Sequence, residues 1–268
     1  MAPVEIPTSD AAAMLPNFSV LSPWNFPHLV HGFMTREGGV SQGSYRSFNL
    51  AEYVGDDVSA VTDNWARWRA AYPRVRPVRL QQVHGNCVHS IGAADDRERK
   101  IGDGIVTKVP GIVLAIFTAD CVPILMTDSE ARVVGALHAG WRGVLAGIAG
   151  VGLNAMVALG ARLDQVQVAL GPAIGSCCFE VDAQLADYFV GQLPNAASSC
   201  RPGRPGKQHL GLRAILRTQL QEAGVGEASI VETGPCTRCN SERFFSRRAA
   251  AGAATGLQMS FIGFDAEQ

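Results

Sequence analysis

The feature that most restricts the fold of this 268-residue chain is a series of short apolar runs in its middle third. Each run is five or six residues long, and Val and Ile dominate several of them. Runs of this length and composition favour β-strands over helices. The predicted strands cover residues 78–83, 86–91, 112–117, 122–126 and 133–137.

Helical periodicity appears on either side of this strand-rich region. In residues 56–72, Val58, Val61, Trp65 and Trp68 are spaced for one buried helix face, and an aspartate stands near the start. Further helices are predicted at 144–159, 182–192 and 210–223, further strands at 29–35, 166–170 and 257–264, and an exposed loop at 195–206.

The irregular mixture of strands and helices predicts an α+β fold, with a mixed β-sheet core and flanking helices in a single domain. Residues 1–28, rich in Pro, Ala and Ser, are interpreted as a loosely ordered lead-in. Residues 29–268 are interpreted as one catalytic domain.

Composition narrows the classes of function. With 23 basic and 24 acidic residues, the net charge is -1, which gives no electrostatic footprint for nucleic acid or an anionic membrane. The N-terminal segment lacks the pattern of a signal peptide, and a cytoplasmic location is expected. Seven cysteines, an odd number in a long chain, indicate metal or thiol chemistry in preference to a disulfide framework.

Two histidines and one cysteine are candidate metal ligands. His84 lies in a Gln-Val-His-Gly segment, His138 in His-Ala-Gly-Trp, and Cys121 ends a predicted strand. Two imidazoles and a thiolate suit zinc and leave a fourth tetrahedral position for water or substrate. The separations of 37 and 17 residues match no compact ligand signature. On spacing alone, hydrogen-bonded histidines and a buried thiol explain the pattern better than a metal site does.

Several blocks, in a fixed order, make the chain similar to a known family. They include His31-Gly32-Phe33, residues 35–41, Gln82-Val83-His84-Gly85, Thr118-Ala119-Asp120-Cys121, residues 138–143, residues 171–175 and Phe244-Phe245-Ser246. The chain resembles the purine nucleoside phosphorylase family once described as multicopper polyphenol oxidase or laccase-domain proteins, which includes the peptidoglycan editing factor. The tail departs from that pattern, with Arg247 where the family has Tyr and Leu257 where it has Arg.

The resemblance implies a ligand set, a cofactor and partners. It places the metal on His84, Cys121 and His138, with Zn²⁺ as the expected ion and Cu²⁺ as a substitute that the same ligands can accept. It implies phosphorolysis of purine nucleosides, with adenosine deamination at the same site, so that the partners are a purine nucleoside and phosphate. Arg36 is the expected phosphate-binding residue, and Asn49 is a candidate ligand for a ribose hydroxyl.

Further polar and thiol side chains are candidates for catalytic or supporting roles. Asp120 and Glu180 are candidate catalytic carboxylates that carry protons, and Cys178 is a third candidate catalytic residue beside a glycine-rich turn. Asp103 is a candidate partner that orients a metal-bound histidine. The Cys236-Thr237-Arg238-Cys239 motif is interpreted as two loop thiols, because no second CxxC pair is present.

Two alternatives accompany the phosphorylase hypothesis. A cysteine hydrolase would use Cys121 as the nucleophile and a nearby histidine as the base. A peptidoglycan-editing factor would show little purine turnover. A four-copper oxidase is excluded, because six histidines without a paired His-x-His unit are too few for its copper sites.

Overall fold

The computed structural model describes residues 24–94 and 99–266. Most of the predicted lead-in lies outside the described residues, although Trp24 at its end is 7% exposed and packs against the ring of His31. The strands are β1 (Leu29–Phe33), β2 (Arg76–Arg79), β3 (Val88–Ser90), β4 (Gly104–Thr107), β5 (Ile112–Thr118), β6 (Val122–Asp128), β7 (Val133–Ala139), β8 (Gln167–Leu170), β9 (Glu180–Asp182), β10 (Cys200–Pro202), β11 (Lys207–Leu210), β12 (Ile230–Glu232) and β13 (Gln258–Phe264).

Six α-helices lie between these strands in the described part of the chain. They are α1 (Val58–Ala71), α2 (Trp141–Leu145), α3 (Ile148–Ala158), α4 (Ala183–Gln192), α5 (Leu212–Glu222) and α6 (Arg247–Ala250). Asp57 caps α1 by accepting a hydrogen bond from Ala60 N at 2.9 Å, as the aspartates before this helix predicted.

The described strands form two large mixed sheets and one small antiparallel sheet. The orders are β1-β13-β5-β2, β12-β8-β6-β7-β4-β3 and β10-β11-β9. The fold is therefore α+β, as predicted. Both large sheets contain parallel pairs, β2–β5 in the first and β12–β8 and β3–β4 in the second, beside antiparallel pairs such as β13–β5 and β6–β7.

The two large sheets pack face to face, with helices on both outer sides. Leu114 and Ile116 of β5 belong to the apolar layer between the sheets, which also contains Leu125 and Ile262. On the other face of β5, Phe117 packs against Trp65 of α1 in a second apolar layer, which also contains Trp68, Val113, Ala115 and Phe261. A third layer joins the six-stranded sheet to α3, α4 and α5. The central strands are buried on both faces, which explains their continuous apolar character.

Three predicted elements differ in the structure. Of the predicted strand 78–83 only the start is a strand, in β2 (Arg76–Arg79), because the chain then enters the loop that carries His84. The predicted helix 144–159 is two helices, α2 and α3, separated at Gly147, whose φ of 71° lies in the left-handed region that ends a helix. The predicted loop 195–206 contains a 3₁₀ turn, Pro194–Ser199, and strand β10, which pairs with β11. The Pro and Gly residues of this segment predict a loop, but the strand forms because it pairs with β11 across a short connection.

The sheets place three chain segments at one end of the six-stranded sheet. Cys121 lies in the turn from β5 to β6, His138 lies near the end of β7, and His84 lies in the loop between β2 and β3. Among the described residues, no helix has both the length and the apolar composition that crossing a bilayer requires.

Candidate metal centre

The folded chain brings His84, Cys121 and His138 together in one cluster, here called the His–Cys–His site. Their candidate ligand atoms all lie within 4.8 Å of one another, and the two imidazole ring centroids are 4.7 Å apart. His138 is buried, Cys121 is half-buried and His84 is exposed. The site is therefore anchored in the core and reaches the surface on the His84 side.

Asp103 supports this site from the protein interior. It is fully buried, and its Oδ1 lies 2.8 Å from His138 Nδ1. The same carboxylate accepts hydrogen bonds from the backbone N–H of His84 at 2.9 Å and of Gly85 at 2.6 Å. One carboxylate thus orients the His138 ring and fixes the loop that carries His84, which confirms the predicted contact with a candidate ligand.

Asp103 also fixes which nitrogen of His138 faces the cluster. Burial alone would raise the pKa of Asp103, but hydrogen bonds from His138 and Gly85 hold it below its ordinary value. An ionised carboxylate accepts, so His138 Nδ1 is the donor in this bond. Nε2 of His138 is left to face Cys121 or an ion.

Backbone geometry beside the site is held in uncommon regions. His84 has a φ of 62° and Asp120 a φ of 92°, and positive φ is unfavourable for residues with a side chain. The Asp103 carboxylate holds the backbone of His84 in this conformation. The backbone of Asp120 is held through its own side chain, whose Oδ1 accepts from the Thr237 hydroxyl at 2.6 Å and whose Oδ2 accepts from Arg248 N at 2.7 Å.

Cys121 and His138 form a charge-coupled pair. Burial alone would raise the pKa of the Cys121 thiol, but the charge of His138 and hydrogen bonds from both histidines lower it to about 6. Burial alone would lower the pKa of His138, but the Cys121 thiolate and Asp103 raise it to about 9. At neutral pH the metal-free site therefore holds a thiolate beside an imidazolium.

The donor set fits a transition metal of the zinc type. A thiolate and two imidazoles are borderline-soft ligands, and the thiolate form is already favoured at Cys121. An ion bound through His138 Nε2 takes the place of the imidazolium proton, so metal binding is expected to release a proton. Three protein ligands leave one tetrahedral position open.

Asp120 and Glu180 occupy different environments from each other. Both oxygens of Asp120 accept the hydrogen bonds described above, which brace the turn that carries Cys121. The carboxylate of Glu180 pairs with Arg204, whose Nε lies 2.8 Å away, and these hydrogen bonds lower the pKa of Glu180 to about 2. A carboxylate that holds its proton so weakly is a poor general acid near neutrality, so the geometry does not favour Glu180 as a proton carrier.

Cys178 lies in a second cluster of thiols, together with Cys177, Cys236 and Cys239. Its Sγ is 3.3 Å from Cys239 Sγ. This second cluster was not predicted from the sequence. The adjacent cysteines and the CxxC motif were both visible in the sequence, but nothing there indicated that they meet. The catalytic role assigned to Cys178 stays a prediction.

Arg36 lines a surface cleft of about 590 Å³, here called the Arg36 cleft, together with Arg46. The remaining lining residues are Glu37, Gly38, Gly43, Ser47 and Glu242. Arg36 Nη1 donates to Ser241 O at 2.8 Å, and its guanidinium stacks 4.5 Å from the Phe245 ring centre. Arg36 is thus held in place by backbone oxygen and an aromatic face. Arg46 is a second cation that the sequence analysis did not single out.

Asn49 is fully buried and its amide is fully used inside the protein. Both amide hydrogens are donated, to Ala51 O and Asp56 Oδ2, and Oδ1 accepts from the N–H groups of Ala51 and Leu257. These bonds use the whole hydrogen-bonding capacity of an asparagine amide. In this conformation Asn49 staples loops together, and a ribose contact stays a prediction.

The fold and the site together define a two-sheet α+β protein with a mixed His–Cys–His cluster of the metal-ligand type. The family model described as multi-copper polyphenol oxidoreductase laccase matches residues 30–265. The chain belongs to this family. In the described residues, the clusters with metal-ligand geometry are the His–Cys–His site and the four thiols, and neither resembles an array of paired copper-binding histidines.

Curated relatives carry purine-directed names. The chain is 38% identical over 255 residues to purine nucleoside phosphorylase YlmD of Geobacillus stearothermophilus, covering 89% of this chain and 91% of that protein. It is 37% identical over 235 residues to adenosine deaminase RL5 from an unknown prokaryotic organism, covering 82% and 88%.

Solved structures share the fold. YlmD from Geobacillus stearothermophilus superposes with a TM-score of 0.83 at 36% identity, covering 90% of this chain and 93% of that chain. Protein NMB0706 from Neisseria meningitidis gives a TM-score of 0.83 at 33% identity, covering 94% and 100%.

Proposed function

We propose that this chain is a zinc-dependent purine nucleoside phosphorylase that also deaminates adenosine at the same site. The observation that carries the proposal is the convergence of His84, Cys121 and His138, with Asp103 buried behind them. The names of the relatives support the choice of a purine nucleoside as substrate and of phosphate as co-substrate.

The proposed phosphorolysis exchanges one bond for another at the ribose. The bond between C1′ and the purine nitrogen breaks, a phosphate oxygen bonds to C1′, and a proton goes to the departing base. The products are the free purine and ribose 1-phosphate. Zinc bound at the His–Cys–His site would supply Lewis-acid stabilisation of negative charge on oxygen.

Within this proposal, the chain's own residues position the reacting groups. Asp103 holds the His138 ring and the His84 loop in one arrangement, so that little reorganisation is needed when substrate binds. Asp120 keeps the Cys121 turn in place through Thr237 and is the remaining candidate proton carrier near the site.

The Arg36 cleft is the proposed site for phosphate, and its wall holds the carboxylates of Glu37 and Glu242 as well as two arginines. Arg36 and Arg46 line it together, and a guanidinium presents donors that match phosphate oxygens. The segment from Cys236 to Arg248 joins this cleft to the metal site, because its Ser241 carbonyl accepts from Arg36 while its Thr237 hydroxyl bonds Asp120.

Arg46→Ala and Arg36→Ala test the phosphate assignment. Each is expected to raise the KM for phosphate roughly tenfold, the effect of losing one charged hydrogen bond of about 1.5 kcal/mol, with zinc content unchanged. Arg162→Ala is the matched control, since Arg162 is an exposed arginine paired with Asp164. Steady-state kinetics with varied phosphate, alongside elemental analysis, measures both quantities. Loss of zinc as the main effect would show that these arginines support the metal site instead.

Adenosine deamination is the second activity, favoured by the relative named adenosine deaminase. Water adds at C6 of the purine, ammonia leaves, and inosine is formed. This reaction needs no phosphate. The two activities therefore separate in one assay of adenosine with and without phosphate.

The decisive experiment compares the zinc-loaded protein with protein stripped by a chelator and then reloaded. The expected result is phosphate-dependent release of adenine and hypoxanthine, lost on stripping and restored by zinc. Full activity of the stripped protein towards an amide would instead support a cysteine hydrolase, for which the Cys121 thiolate and His138 are already paired.

A further inference from the structure

The four-cysteine cluster, formed by Cys177, Cys178, Cys236 and Cys239, is assembled by the six-stranded sheet. Strands β8 and β12 are parallel neighbours, so their carboxyl ends lie side by side. Cys177 and Cys178 follow β8, and the CxxC motif follows β12. A bridge between Ala173 and Cys236, with Thr237 N donating to Ala173 O at 3.0 Å, joins the two connections directly.

The sulfur positions match a tetrahedral metal site. All four Sγ atoms lie within 4.8 Å of one another, with Cys239 Sγ at 3.3 Å from Cys178 Sγ and 3.7 Å from Cys177 Sγ. Zinc–sulfur bonds of about 2.3 Å place the sulfurs of a tetrahedral site roughly 3.8 Å apart. A disulfide would need about 2.05 Å, and all four thiols are free.

Donors around the sulfurs fit negatively charged thiolates. Gly175 N donates to Cys236 Sγ at 3.2 Å, and Arg238 Nη1 donates to Cys178 Sγ at 3.5 Å. Such hydrogen bonds offset the charge that four thiolates bring to one ion. A Cβ at Gly175 would lie 3.2 Å from Cys177 Sγ, so the absence of a side chain there leaves room for the cluster.

Access to the cluster is from the surface. Cys177 and Cys239 are exposed, Cys236 is half-buried and Cys178 is buried. A metal ion can therefore enter from solvent and reach four ligands without a rearrangement of the core.

We propose that the four-cysteine cluster binds one zinc ion in a closed, structural site, distinct from the His–Cys–His site. Four thiolates fill the tetrahedral positions and leave none for substrate. The ion holds the turn after β8 against the turn after β12. Thr237 lies inside the second turn and bonds Asp120, so the cluster also stabilises the segment that braces Cys121. In this role Cys178 is a zinc ligand.

Elemental analysis of protein grown with zinc and purified under reducing conditions tests the proposal. The expected content is about two zinc ions per chain, one for each cluster. The double variant Cys236→Ser, Cys239→Ser should hold about one zinc ion, and its thermal midpoint should fall. Cys200→Ser, which changes a half-buried thiol outside both clusters, should keep about two.

A cobalt titration keeps the test valid if the double variant does not fold. In His138→Ala protein, the intact four-cysteine cluster should bind one Co²⁺ and show the intense sulfur-to-cobalt absorption of a four-thiolate site. The proposal is overturned if the wild-type protein holds a single zinc ion that His138→Ala removes, if the folded double variant keeps as much zinc as the wild-type protein, or if mass spectrometry finds a disulfide among these cysteines.

Discussion

The His–Cys–His site and the four-cysteine cluster both contain cysteine sulfur, but different groups surround the sulfur in each. Cys121 shares its site with two imidazoles and a buried carboxylate behind one of them. The other cluster offers four sulfurs supported by an N–H group and an arginine. On a bound ion, the first set would leave one tetrahedral position free, whereas the second would have none to spare.

The two clusters also differ in how the fold builds them. The ligands of the His–Cys–His site come from three separate segments and depend on one carboxylate, Asp103, to hold two of those segments together. The four-cysteine cluster needs only two turns at the ends of adjacent parallel strands. A catalytic role is therefore expected for the His–Cys–His site, where a buried carboxylate fixes the geometry. A stabilising role is expected for the four-cysteine cluster, which needs only two adjacent turns.

His138→Ala should produce the largest effect and separate the two clusters. Removing a residue that supports a metal ligand lowers metal affinity by up to ~100-fold, and removing the ligand itself is expected to lower it further. Zinc at the His–Cys–His site and phosphorolysis should therefore both be lost. Zinc at the four-cysteine cluster should remain. Elemental analysis and a nucleoside assay measure these, with His89→Ala as the control histidine outside the site. Loss of both ions would mean that the clusters act as one unit.

Asp103→Asn tests the bracing carboxylate without changing its shape. Zinc affinity at the His–Cys–His site is expected to fall 10- to 100-fold, as for other partners of metal-bound histidines. Competition with a fluorescent chelator measures the affinity.

Asp128→Asn is the matched control for Asp103→Asn. Asp128 is also a fully buried aspartate that accepts backbone hydrogen bonds, from Ala131 N at 3.0 Å and Arg162 N at 2.8 Å, at the other end of β6. It should lower thermal stability and leave zinc affinity unchanged. Equal effects of the two variants on zinc would reduce Asp103 to a purely structural residue.

The ionisation of Cys121 in metal-free protein gives a third measurement. Its pKa is lowered to about 6, so the thiol is protonated below pH 6 and ionised above it. At pH 7 roughly nine-tenths of the thiol is thiolate, against roughly 3% for an ordinary cysteine of pKa ~8.5. Alkylation of the Cys121 peptide, followed by mass spectrometry across pH, should show this midpoint. His138→Ala should move it upward, and zinc should protect the thiol. A midpoint near that of an ordinary cysteine contradicts the ion pair.

Gly140→Ala should have the smallest effect. The added Cβ would lie 2.9 Å from His84 Cδ2 and 3.2 Å from Cys121 Sγ, so it crowds one cluster only. Overpacking of about 1 kcal/mol corresponds to about a fivefold loss of zinc affinity at the His–Cys–His site. Gly150→Ala in α3, where a Cβ meets nothing within 4 Å, is the control. An unchanged affinity in Gly140→Ala would show that the site adjusts freely.

Much of the fold was predictable because local sequence patterns specify strands and helices. Val and Ile runs marked the central strands, and the spacing of Trp65 and Trp68 marked α1. The candidate ligand set was not predictable from spacing; it came from the resemblance to a family. The partners of Asn49 and Glu180 were not predictable either, because Leu257 is distant in sequence and Arg204 lies in an irregular segment.

The sequence by itself determined the long apolar strands, the main helices, the α+β class and the presence of chemically capable histidines and cysteines. Only the tertiary structure decided which of them meet. Sheet order is set by long-range packing of two buried faces, and it places β12 beside β8 although α4 and α5 lie between them in sequence. That pairing turned Cys177–Cys178 and an isolated CxxC motif, two unremarkable pairs in the sequence, into four sulfurs around one point.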